Sequence, residues 1–141
     1  MKYMAQATGA SSTSRSVLVV DDDTFSQDFF CEMLSELGFA DVHCASNGRA
    51  GLSALAELPR PPDFLICDVY MPDMDGIELL DELARREYRG GIVLVSGLDI
   101  SMMAIAVKLA VANGLKLLGA HSKPVSLATL AATLNRTPVA A

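Results

Sequence analysis

No apolar run in this chain approaches the ~18 residues that a membrane-spanning helix requires. The N-terminal stretch MKYMAQATGASSTSRS lacks the apolar core of a secretory signal. Cysteine is sparse, with three residues and an odd count, which argues against a disulfide scaffold and fits a reducing compartment. Acidic residues are missing altogether from 100–141, where the charges are Lys108, Lys116, Lys123 and Arg136. All 17 acids therefore fall in residues 1–99 beside the other seven of the 11 bases, so that −10 and +4 make up the net −6. The four cations are scattered and form no basic cluster, and the acidic part repels phosphates, which excludes nucleic acid as a direct partner. These absences lead to the expectation of a soluble, cytoplasmic protein with no membrane partner.

What is present suits a single folded domain: 141 residues, 51% hydrophobic and 20% charged. Residues 1–15 are rich in Ser, Thr, Ala and Gly, predicting a flexible tail. The run Val17-Leu18-Val19-Val20 then predicts a buried strand, halted by three aspartates. Thr24 is expected to cap a helix with Phe25, Phe29, Met33, Leu34 and Leu37 on its inner face and Gly38 as its stop. Residues 41–45 read as a second strand, and Asn47-Gly48 opens a helix reaching about Leu58. Strands are expected again at Phe64–Cys67, Ile92–Val95 and Leu115–Leu118. Helices are expected over Gly76 to about Glu87, over 100–113, and after Ser126. Five strands alternating with five helices predict βαβ units: a parallel sheet covered on both faces, the doubly wound α/β class.

In such a sheet ligands bind beyond the carboxyl ends of the strands. The first strand delivers Asp21-Asp22-Asp23 there, the third Asp68, the fourth Ser96, and the fifth runs on to Lys123-Pro124. Clustered carboxylates need a cation or a proton to offset their repulsion. An all-oxygen site suits Mg²⁺, and a lysine with a hydroxyl beside it is what a phosphoryl group needs. The cysteines Cys31, Cys44 and Cys67 lie in apolar stretches and read as packing residues. His43 and His121 have no second His or Cys at ligand spacing and are assigned no metal.

Four pieces carry a resemblance: Val19-Val20-Asp21-Asp22, Leu65-Ile66-Cys67-Asp68-Val69-Tyr70-Met71-Pro72-Asp73-Met74-Asp75-Gly76, Val95-Ser96-Gly97 and Ser122-Lys123-Pro124. In this order they resemble the receiver domain of two-component response regulators, over about residues 16–135, with residues 136–141 left as a tail. The resemblance implies a flavodoxin-like (βα)5 fold with strand order 2-1-3-4-5. It implies a signalling domain and not an enzyme, phosphorylated on Asp68 by a histidine kinase or phosphotransfer protein. Mg²⁺ would be held by Asp22, Asp68 and the Tyr70 carbonyl, with Asp21 acting mainly through water. Ser96 and Lys123 would contact phosphoryl oxygens.

Some features depart from the family pattern. Ala120 stands three positions before the lysine, where receivers usually carry an aromatic residue that reports phosphorylation. The segment Gly114-Leu115-Lys116-Leu117-Leu118-Gly119 resembles receivers joined to EAL-type cyclic-di-GMP phosphodiesterases. The chain either works alone or belongs to a larger regulator. Tyr70 and Leu98 flank the route of a hydrolytic water, and neither is an acid or amide, which predicts slow dephosphorylation. The fourth helix, with Lys108 as its single charge, and the outer side of the last (Ala128, Thr129, Ala132, Thr133) predict an apolar face for a homodimer or an effector, with Ala106 and Ala110 on it. Two other readings compete: a degenerate receiver acting by contact alone, and a haloacid-dehalogenase-like phosphatase built on Asp21-x-Asp23-Thr24. The phosphatase needs an acidic motif after the lysine, and residues 124–141 contain no Asp or Glu.

Overall fold

The computed structural model describes residues 15–71, 74–97 and 100–137. The expectations for residues 1–14, Pro72, Asp73, Leu98 and residues 138–141 lie outside the described residues. In chain order the elements are β1 (Ser16–Val20), α1 (Thr24–Glu36), β2 (Asp41–Ala45), α2 (Gly48–Glu57), β3 (Phe64–Asp68), α3 (Gly76–Arg85), β4 (Gly91–Ser96), α4 (Ile100–Ala112), β5 (Lys116–Ser122) and α5 (Leu127–Leu134). The strands form one parallel sheet in the order β2-β1-β3-β4-β5. Its central strands are unbroken apolar runs because helices cover both faces. Val17 and Val19 point toward Phe30, Met33 and Leu34 of α1 and Leu130 and Leu134 of α5. Leu18 and Val20 point toward Leu52 of α2, the leucines of α3, and Ala106 and Ala110 of α4.

Helix starts follow from short polar side chains that accept from otherwise unpaired N–H groups. Asn47 accepts from Ala50, Asp75 from Glu78 and Ser126 from Thr129. For α1 the cap is Asp23, accepting from Phe25 N, and Thr24 is already helical. An aspartate one residue earlier outcompetes the threonine, since its carboxylate also accepts from the Ser26 hydroxyl at 3.2 Å.

Three further expectations are corrected. In α1, Phe25 and Phe29 are exposed, 78% and 41%, and the buried positions are Phe30, Met33 and Leu34. The buried stripe of 30, 33, 34 and 37 lies about one position round from the expected one, because Phe30, Met33 and Leu34 pack with Val17 and Val19 of β1. In α4, Ala106 and Ala110 are fully buried, and Thr133 of α5 is buried too. Small side chains let α4 approach the sheet closely, so these residues face the core and not a partner. Strand β5 runs past Leu118 to Ser122, and its register against β4 shifts between Ile92 and Val93. Gly119 marks the irregularity, as glycine within a strand often does. A Cβ there would come within 2.9 Å of Thr133 Cγ2.

Candidate functional site

Strand parity and register assemble the site. Val17, Val19 and Asp21 lie on one face of β1 and its extension, and Phe64, Ile66 and Asp68 on the same face of β3. Val19 is paired with Ile66, so two residues further on Asp21 stands beside Asp68. Neighbouring strands are ~4.8 Å apart, which forces the two carboxylates together. Asp21 N donates to Ala45 O at 3.0 Å, carrying the strand geometry one residue beyond β1. Asp21 is 1% and Asp68 5% exposed, whereas Asp22 projects into solvent.

Lys123 reaches the pair from the far side of β4. The shifted β5 register sets Ser122 opposite Ser96, and Lys123 N donates to Ser96 O at 2.9 Å. The Lys123-Pro124 peptide bond is cis. The ammonium Nζ then lies 2.8 Å from Asp21 Oδ2 and 3.1 Å from Asp68 Oδ2. Two contacts had no sign in the motif pattern: the Ser26 hydroxyl 3.3 Å from Lys123 Nζ, and the Gln27 side chain donating to Asp21 O at 2.6 Å. Their signal was the first turn of α1, which starts at the acidic edge. Tyr70 N donates to Asp68 Oδ1 at 3.0 Å and Asp23 N to Asp21 Oδ1 at 2.9 Å, so both carboxylates are fixed in orientation.

Close approach of α3 supports the same edge. Gly76 N donates to Val69 O at 2.8 Å, and a Cβ at Gly76 would fall 2.7 Å from Val69 Cα and 3.1 Å from Asp68 O. Only glycine lets the helix start there without displacing the strand end.

The electrostatics follow from burial. Loss of hydration pushes the Asp68 carboxyl above its ordinary value, the Asp21 charge adds to this, and the Tyr70 N–H and Lys123 oppose it. For Lys123 burial acts downward, but the Asp21 hydrogen bond and the Asp68 charge outweigh it and raise the ammonium above its usual range. Buried Cys67, beside Asp68, is also shifted upward by loss of hydration, and its Sγ lies 3.2 Å from Asp68 O.

Ligand oxygens of Asp21, Asp22 and Asp68 lie within 4.8 Å of one another. Three carboxylates and one ammonium leave two negative charges uncompensated in a hard, all-oxygen cluster. That donor set fits a divalent cation of the Mg²⁺ kind. Ser96 is brought to the edge as the last residue of β4 and is 6% exposed. The Tyr70 ring stands over solvent, 51% exposed. Asp23 is occupied in capping α1, so the Asp21-x-Asp23 phosphatase pattern is not assembled around the site. A cavity of about 880 Å³ opens at the opposite end of the strands, between Arg15, Tyr88, Arg89 and Arg136, and none of the strand-end acids of the site lines it.

The model of the response regulator receiver domain family matches residues 17–135. Among curated proteins, the chain is 35% identical over 80 residues to the regulatory protein AtoC of Escherichia coli, covering 57% of this chain and 17% of that protein. It is 32% identical over 89 residues to the chemotaxis protein CheY of Bacillus subtilis, covering 63% of this chain and 72% of that one. The chain thus spans less than a fifth of AtoC, while it parallels about seven tenths of CheY. Among solved structures, the chemotaxis protein CheY4 of Vibrio cholerae superposes with a TM-score of 0.73 at 25% identity, covering 88% of this chain and 98% of that one. With the fold, the strand order and the family match in agreement, the chain belongs to the response regulator receiver domain family.

Proposed function

We propose that this domain accepts a phosphoryl group on Asp68 from a phosphohistidine of a kinase or phosphotransfer protein. The observation that carries the reading is the Lys123 ammonium bonded at once to two buried carboxylates, Asp21 and Asp68, at the carboxyl edge of the sheet. Structural ion pairs seldom bury an excess of like charge, whereas a site awaiting a ligand and a cation does.

In this reading the Asp68 carboxylate attacks phosphorus in line, the phosphorus–nitrogen bond of the donor breaks, and its electron pair returns to the imidazole. The Tyr70 N–H orients the attacking carboxylate. Lys123 exchanges its bond to Asp68 for a phosphoryl oxygen while Asp21 keeps it anchored, and the Ser96 hydroxyl donates to a second oxygen. Asp21, Asp22, Asp68 and the Tyr70 carbonyl would hold Mg²⁺, which supplies neutralisation of the phosphoryl charge. The output would pass through the face made by α4, β5 and α5, where Ile105 and Leu127 are exposed, to a second copy or an effector.

The test is intact-mass measurement after incubation with acetyl phosphate or a phosphoramidate. Wild type gains one phosphoryl mass when Mg²⁺ is present and none with excess chelator, and Asp68→Asn gains none. Labelling of Asp68→Asn to the wild-type extent overturns the assignment.

A further inference from the structure

We propose that Cys31 and Cys44 form a reversible intramolecular disulfide, a modification site that ties α1 to the edge strand β2. The two sulfurs lie 3.1 Å apart, although their residues are 13 positions apart in sequence and stand on different elements. Contrary to the expectation of three packing cysteines, only Cys67 is buried: Cys31 is half-buried and Cys44 exposed. The difference has a structural cause. Strand β2 lies at the sheet edge, where one side meets solvent, so an oxidant reaches this pair, whereas Cys67 is sealed in the central strand β3. A disulfide bond is ~2.05 Å long, so about 1 Å of approach is needed, within reach of small side-chain rotations.

The chemistry balances with a low-molecular-weight disulfide, such as oxidised glutathione, as the two-electron oxidant. The Cys31 thiolate attacks one sulfur of the oxidant, whose disulfide bond breaks to release one small thiol. Cys44 then loses its proton to water and attacks the Cys31 sulfur, releasing the second small thiol. Two protein thiols are oxidised and one small disulfide is reduced to two thiols. The order of attack is set by surroundings: partial loss of hydration at the sulfur, then the hydrogen bond and charge of Cys31, then Asp28, push the thiol of Cys44 up to about 12, although the residue as a whole is exposed. Cys44 is thus a poor first nucleophile at neutral pH, and ring closure quickens as pH rises.

The experiment uses the whole chain, reduced and then exposed to oxidised glutathione without denaturant. After quenching, denaturation and alkylation, the expected product has lost two hydrogens and carries one alkyl group, on Cys67. Cys67→Ser forms the same bond and carries none. Cys31→Ser and Cys44→Ser each keep a glutathione adduct or free thiols and never show the loss of two hydrogens. Oxidised wild type should melt higher by about 10 °C, reversed by dithiothreitol, as a short closed loop constrains the unfolded chain. Persistent glutathione adducts on wild type, a disulfide-linked dimer, a pair that includes Cys67, or three thiols left free would each overturn the proposal.

Discussion

Asp68 sits where burial works against its charge. Its folded-state carboxyl lies above the ordinary value of 3.8 chiefly because hydration is lost. A raised carboxyl supports the fold fully below that ordinary value, and the support vanishes as pH rises through the folded value. The raised carboxyl therefore weakens the fold once it is ionised, and Asp68→Asn should gain stability while abolishing phosphorylation. Lys123→Met leaves Asp21 and Asp68 facing each other without a cation and should lose about 3 kcal/mol. Urea denaturation with excess chelator measures both, and opposite signs are the expected outcome. Adding Mg²⁺ should raise the melting temperature of wild type more than that of Asp68→Asn, since ligand binding to the native state adds to stability. These residues were legible because a parallel sheet delivers strand-end side chains to one edge, so Asp21, Asp68, Ser96 and Lys123 could be found by counting strands. Ser26 and Gln27 were legible only as first-turn residues of a helix that starts at the acidic edge, because the angle at which α1 leaves β1 decides whether they reach the site.

Helix α1 shows why element existence is easier to read than element phase. Phe25, Phe29 and Phe30 offer two competing stripes, and sequence alone favours the one with more aromatics. Packing selects Phe30, which touches the β1 face and is 2% exposed, and leaves Phe25 in solvent. Phe30→Ala should cost about 3–5 kcal/mol, the range for emptying a buried aromatic site. Phe25→Ala should stay within about 0.5 kcal/mol, as surface changes do. Equal losses in urea titrations would mean that the helix is rotated otherwise. Strand β5 makes a second element-scale prediction. Thr133 donates its hydroxyl hydrogen to Thr129 O at 2.7 Å, so its oxygen accepts from His121 Nε2 at 2.7 Å and fixes the proton on that nitrogen. Burial, and after it the Arg136 charge, hold His121 below its ordinary value of 6.5. The unfolded chain then binds the second proton first, so stability is full above that value and falls as pH drops through it toward the folded value. Since Asp68 acts in the opposite direction, the readout is the difference: between pH 7.5 and 5 the melting temperature of wild type should drop relative to that of His121→Gln.

On the scale of the whole molecule, charge and covering divide between the two ends and the two faces of one sheet. Asp21, Asp22 and Asp68 meet at the edge where β1 and β3 end, and the acid-free stretch beyond residue 99 supplies Lys123 to that edge and the apolar helices α4 and α5 beside it. A nearly uncharged α4 was legible as a helix, but an all-round apolar pattern gives no period from which to say which side faces the core. The structure supplies the answer through size: alanines 106 and 110 meet the sheet, and Ile105, 49% exposed, faces outward. The two positions, adjacent in sequence, therefore separate a test of folding from a test of docking. Ala106→Glu places a carboxylate at a fully buried position against the core and should unfold the domain or cost several kcal/mol. Ile105→Glu puts the same charge in water and should leave the melting temperature within about 2 °C of wild type. On association, however, that charge would be desolvated without a partner, so Ile105→Glu should weaken self-association or effector binding at least tenfold, roughly 1.4 kcal/mol. Analytical ultracentrifugation of the phosphorylated protein, with and without Ile105→Glu, tests the homodimer directly. A wild-type dimer that persists unchanged in the variant would remove α4 from the interface.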